Sequence, residues 1–74
     1  MPIPALDALG NPVRRDILVA LRRGPLSVSN LAERFPLSRP AISRHLRVLR
    51  GGGLVEPHPD GYAIRVRGFA PVPG

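Results

Sequence analysis

The chain has no cysteine among its 74 residues, which excludes disulfides, thiolate zinc sites, iron–sulfur clusters and thiol redox sensing, and fits folding in a reducing compartment. It also has no lysine, since all eleven cationic side chains are arginine. Acidic residues are few, five in all, so the formal net charge is +6 and the isoelectric point lies near 11.8. So one-sided a balance points to a polyanionic partner, with nucleic acid first. No apolar run approaches the ~18 residues of a membrane span, and Met1-Pro2-Ile3-Pro4 lacks the charged and apolar regions of a signal peptide. The expectation is a soluble, cytoplasmic protein with no membrane partner.

What the chain does have is punctuation. Ten prolines and eight glycines cut it into short segments, and its length allows one small domain, over residues 1–74, with one modest core. Residues 5–10 can form a short helix with Leu6 and Leu9 on one side. Asn11-Pro12 opens a longer one, because asparagine suits the N-cap and proline the first helical position. Val13, Ile17, Ala20 and Leu21 then recur at the spacing of a buried stripe, and Arg22 and Arg23 are expected in the last turn before Gly24-Pro25, giving a helix over 12–23. Ser27 caps a helix over 28–35 whose apolar side is Val28, Leu31, Ala32 and Phe35. Asn30 stands where a capping box has glutamate or glutamine, and its shorter side chain argues against the reciprocal bond. Pro36 stops this helix, Leu37 plugs the corner, and Ser38 caps a helix over 39–50 that tolerates Pro40 in its first turn. Gly51-Gly52-Gly53 ends it.

The last third changes period. Tyr62, Ile64 and Val66 alternate with Ala63, Arg65 and Arg67, as in a half-buried strand. Leu54-Val55-Glu56 can pair with it across Pro59-Asp60-Gly61, a turn signal. The result is a β-hairpin over 54–67, followed by an irregular tail over 68–74. The fold class expected is mainly α with a small β-hairpin, a winged helix-turn-helix.

A helix, a short turn and a second, arginine-rich helix form the unit whose second helix enters the DNA major groove. With Ile42 at zero and 100° per residue, Leu46 and Leu49 fall within about 40° of it and face the core. Pro40, Ser43, Arg44 and Arg47 span about 100° on the opposite side, flanked by Arg39 and Arg50. Arginine can bond guanine O6 and N7 together, serine can donate or accept, and proline can touch a thymine methyl. Ser38 can bond a phosphate as well as cap its helix, and His45, about 60° from Ile42, is a packed or phosphate-contacting side chain. Arg65 and Arg67 share one face of the second strand, as wing residues that meet phosphates or a narrow minor groove. The alternatives to these readings are a solvated helix face and an edge strand guarded against aggregation.

From Ala8 to Glu56 the sequence also resembles the ArsR family of bacterial winged-helix transcriptional regulators. The stretches are Ala8-Leu9-Gly10-Asn11-Pro12-Val13-Arg14-Arg15-Asp16-Ile17-Leu18, Leu26-Ser27-Val28-Ser29-Asn30-Leu31-Ala32-Glu33-Arg34 and Leu37-Ser38-Arg39-Pro40-Ala41-Ile42-Ser43-Arg44-His45-Leu46-Arg47-Val48-Leu49. The last is the most specific, resembling the family's recognition helix. The resemblance implies a repressor that binds double-stranded operator DNA, usually as a homodimer on a palindrome, and releases it to an inducer. It also marks departures. Members that sense metal through the third helix carry cysteines there, and this chain has none. Pro36 replaces a glycine often found in the turn, the glycine triplet is looser than the usual helix ending, and the helices that commonly pair subunits are shortened or missing.

Other chemistry finds little support. His58 and Asp60 fall short of a metal site, and the triple glycine has neither the preceding strand nor the Gly-Lys-Ser/Thr of a phosphate loop. No serine, histidine and carboxylate are spaced as a triad. No metal, cofactor or enzymatic activity is expected. The reading from a different class is a winged-helix interaction module that docks its basic face on an acidic protein or another regulator.

Overall fold

A computed structural model describes residues 10–65. The short helix expected at 5–10, apart from Gly10 in a turn, lies outside the described residues, as do Val66, Arg67 and the tail over 68–74. Three helices, α1 (Pro12–Leu21), α2 (Val28–Arg34) and α3 (Arg39–Gly51), precede a hairpin of β1 (Val55–His58) and β2 (Gly61–Ile64).

Each helix begins on its expected cap. The Val13 N–H donates to Asn11 Oδ1 at 2.8 Å, and Pro12 takes the first helical position. The Ala41 N–H donates to Ser38 Oγ at 3.3 Å, leaving that hydroxyl free to donate elsewhere. At Ser27 the structure corrects the sequence reading, because the capping box is complete. The Asn30 N–H donates to Ser27 Oγ at 3.0 Å, and Asn30 Oδ1 accepts from the Ser27 N–H at 3.4 Å and from its hydroxyl at 2.9 Å. The shorter side chain lengthens the reciprocal bond without losing it.

The helix ends differ more. α1 stops at Leu21, two residues before the expected end, because the last turn tightens: Arg22 N–H bonds the Val19 carbonyl and Gly24 N–H the Leu21 carbonyl. Arg22 and Arg23 therefore lie beyond the final turn. α2 ends one residue early at Arg34, since Phe35, the residue before a proline, is driven to extended backbone (φ −120°, ψ 145°). No residue between α2 and α3 takes positive φ, so Pro36 is accommodated by a turn with no left-handed position. α3 runs one residue further than expected, to Gly51. It closes with Gly53 at φ +75°, the Gly53 N–H bonding the Arg50 carbonyl and the Leu54 N–H the Leu49 carbonyl, each at 3.0 Å. This is a Schellman ending, which satisfies two terminal carbonyls and aims the chain into β1.

The hairpin pairs Val55 with Ile64 and His58 with Gly61. Tyr62 N–H and C=O turn away from β1 and exchange hydrogen bonds of 2.9 and 3.0 Å with Leu26, so Pro57, opposite Tyr62, removes no ladder donor. The Leu26 bridge was not legible in the residue pattern, and it ties the α1–α2 connection to the hairpin. Ile17, Leu21, Leu31, Ile42, Leu46, Leu49, Leu54 and Val55 form the buried core, with Phe35, Leu37, Tyr62 and Ile64 packed around it. α3 supplies three of the eight and packs against α1, α2 and β1.

Candidate nucleic-acid interface

Burial of Ile42, Leu46 and Leu49 fixes the rotation of α3. Pro40, Arg44 and Arg47 are exposed on the opposite arc and Ser43 is half-buried. Ser38 and Arg39 are exposed at the N-terminus of the helix, and Arg50 at its C-terminal end. Sequence periodicity and structure thus bring the same side chains to one surface.

His45 lies half-buried on the flank of α3, where Arg14 of α1 comes within 3.5 Å, its Nη1 facing His45 Nδ1. Arginine has no acceptor, so Arg14 can donate to this ring only in the neutral tautomer that carries its proton on Nε2. Burial first, then the charges of Arg14 and Arg44, hold the His45 pKa below its usual value. Sequence motifs do not single out Arg14, although a signal exists: its wheel position is about 20° from that of buried Leu21. His45 is one polar neighbour of a cation placed there.

The hairpin residues divide. Arg65 is exposed, with its Nη1 3.8 Å from where a Cβ on Gly53 would stand, so its guanidinium lies beside the α3–β1 junction. Arg67 lies outside the described residues. At the hairpin tip, the Asp60 N–H donates to His58 Nδ1 at 3.1 Å, a local turn bond. No group of three His, Cys, Asp or Glu side chains among the described residues could hold a metal ion, and no described helix is long and apolar enough to cross a membrane.

Known proteins share both sequence and geometry. A family described as a helix-turn-helix domain matches residues 9–58. The HTH-type transcriptional regulator Rv2034 of Mycobacterium tuberculosis is 47% identical over 60 residues, which cover 81% of this chain and 56% of that protein. NmtR, an HTH-type transcriptional regulator of the same organism, is 52% identical over 50 residues, covering 68% and 42%. Among solved structures, a possible transcriptional regulator for arsenical resistance superposes with a TM-score of 0.80 at 42% identity, over 92% of this chain and 75% of that one. The chain belongs to the ArsR family.

Within the ArsR family's winged helix-turn-helix, α2 and α3 are the helix pair and the β1–β2 hairpin is the wing, as the sequence resemblance implied. The family is one of regulators, not of enzymes. This ArsR-family chain spans about half the length of the two curated relatives named above.

Proposed function

We propose that the chain binds double-stranded DNA sequence-specifically through α3 and regulates transcription, as a repressor that occludes a promoter. The observation that carries this reading is the two-sided character of α3: three fully buried aliphatic side chains on one side, and Pro40, Arg44 and Arg47 exposed on the other. An arc of that chemistry suits base edges in the major groove. Ser38, Arg39 and Arg50 are assigned to the backbone beside it, Ser43 to the bases, His45 to the flank, and Arg65 and Arg67 to wing contacts. The operator is a palindrome and the bound species a homodimer. Its site of action is the cytoplasm.

Selection of binding sites from random duplexes, followed by anisotropy titrations across salt, tests the proposal. The expected result is an enriched sequence with inverted symmetry, and log affinity falling against log salt by about 0.9 for each phosphate neutralised. No duplex binding at low salt overturns it, and preference for an acidic polypeptide over duplex DNA supports the interaction-module reading instead. Light scattering with and without the selected duplex tests the dimer.

A further inference from the structure

The two backbones that meet at the Leu26–Tyr62 bridge part again immediately beyond it. If the antiparallel pairing continued, the next hydrogen-bonded pair would be Gly24 with Ile64, but the Gly24 N–H is committed to the Leu21 carbonyl at 3.1 Å. Ile64 lies between Ala63, paired with Glu56, and Arg65, whose N–H bonds the Leu54 carbonyl. By the alternation of the ladder its own N–H and C=O therefore turn away from β1. They face the unclosed side, and no bond to them forms among the described residues. The gap is an open groove of about 350 Å³ at Gly24, lined by Leu21, Arg22, Arg23, Pro25, Ala63 and Ile64. None of the side chains assigned to DNA lines it.

We infer that this groove is a binding site for a small molecule with an apolar body and a single carboxylate. Leu21, Pro25, Ala63 and Ile64 supply apolar contact. Arg22 and Arg23 are exposed and have no ion-pair partner among the described residues, and a guanidinium holds a carboxylate through two parallel N–H donors. The Ile64 N–H adds a main-chain donor. No acidic residue lines the groove. The C-terminal end of α1 opposes an anion with the equivalent of about half a negative charge. The Arg22 and Gly24 N–H groups already bond the Val19 and Leu21 carbonyls there, and two full guanidinium charges outweigh what is left. The volume stands at the small end of the range of about 300–1,000 Å³ for ligand pockets, so it suits one short chain or ring. A bare phosphate or sulfate would leave the apolar lining uncovered. The site holds whether or not α3 binds DNA.

The test is an NMR titration of the full chain, without DNA, using sodium octanoate below its micelle concentration as the probe. The Gly24, Ala63 and Ile64 amides are expected to shift and to saturate together, with 1-octanol, the neutral chain of the same length, binding more weakly. The double variant R22Q/R23Q keeps polar side chains but removes both charges, and is expected to weaken octanoate by about tenfold. R34Q removes an exposed arginine on α2, away from the groove, and is expected to leave it unchanged. Shifts that do not saturate, equal binding of octanol, or equal weakening by R34Q and R22Q/R23Q overturns the inference. So does a preference for an acidic peptide over octanoate at the same amides. Contacts from Phe69 or Val72 to Leu21 in the ligand-free chain would give the groove to the chain's own tail and overturn it as well. Failure to bind any duplex bears on the DNA reading alone, since no DNA enters this titration.

Discussion

The main-chain carbonyl of Leu26 occupies the space into which a side chain on Gly61 would project, and Ser27 Cα lies 2.6 Å from the same point. The Leu26–Tyr62 bridge draws the two backbones together at this position. Gly61 also has φ +132°, because neither Pro59 nor Asp60 takes the positive φ that a two-residue hairpin usually requires. Gly61→Ala is therefore expected to cost about 3 kcal/mol, combining about 1–3 for the backbone conformation with about 1–3 for the close contact. Urea unfolding followed by circular dichroism checks it, with Gly51→Ala as the control. Gly51 is helical with nothing within 4 Å of its would-be Cβ, so alanine there is expected to be neutral or to stabilise by about 0.5 kcal/mol. Equal effects at the two positions would contradict the role given to Leu26.

That contact also marks where the sequence stops being informative. The helices are legible because Asn11, Ser27 and Ser38 precede apolar residues at helical spacing, and the hairpin because Tyr62, Ile64 and Val66 alternate. A single bridging residue such as Leu26 leaves no period to detect. The helix ends differ from the sequence expectation by one or two residues because they depend on bonds such as Gly24 N–H to Leu21 C=O, which composition does not encode. The arc of Pro40, Ser43, Arg44 and Arg47 was legible for the opposite reason, being a property of one helix. The Arg14–His45 contact joins residues 31 apart in sequence, and only the packing of α1 on α3 brings them together.

The core carries a second prediction. Leu46 is 0% exposed at the centre of α3, whereas Val19 is 60% exposed on α1. Leu46→Ala is expected to cost about 2–5 kcal/mol, a large part of the total of about 5–15 kcal/mol for such a domain. Val19→Ala is expected to stay within about 0.5 kcal/mol. Thermal melts separate the two, since about 1 kcal/mol shifts the midpoint of a domain this size by about 4–8 °C.

Stability is expected to decline on mild acidification. The folded-state pKa of His45 is held down, by burial first and then by Arg14 and Arg44, while the unfolded chain titrates near 6.5. Below that value the unfolded state binds more protons than the native one, so stability rises with pH across the window between the two pKa values. The contribution is fully present above about pH 6.5 and is lost as pH falls through the folded value. H45Q should flatten this part of the profile. Denaturant midpoints of both proteins between pH 5 and 8 measure it, and identical slopes would show that His45 carries none of the dependence.

The last prediction separates the arginines by what they touch. Arg44 and Arg47 project from the arc opposite Ile42, Leu46 and Leu49, where a guanidinium can bond guanine O6 and N7 together. If Arg47 makes that contact, Arg47→Ala is expected to cost about 1–3 kcal/mol of binding and to relax preference at one base pair. Arg47→Lys keeps the charge but loses the planar fork, so it should retain the salt dependence while losing much of the preference. Arg65, whose guanidinium sits beside Gly53 at the foot of the wing, is assigned to phosphate. Arg65→Ala should weaken all duplexes alike and lower the magnitude of the log–log salt slope by about 0.9. Affinities of these variants and of Arg44→Ala for the selected operator and its single-base variants, each at several salt concentrations, distinguish the roles. Uniform weakening by Arg47→Ala, with the base preferences intact, would move Arg47 from the bases to the backbone.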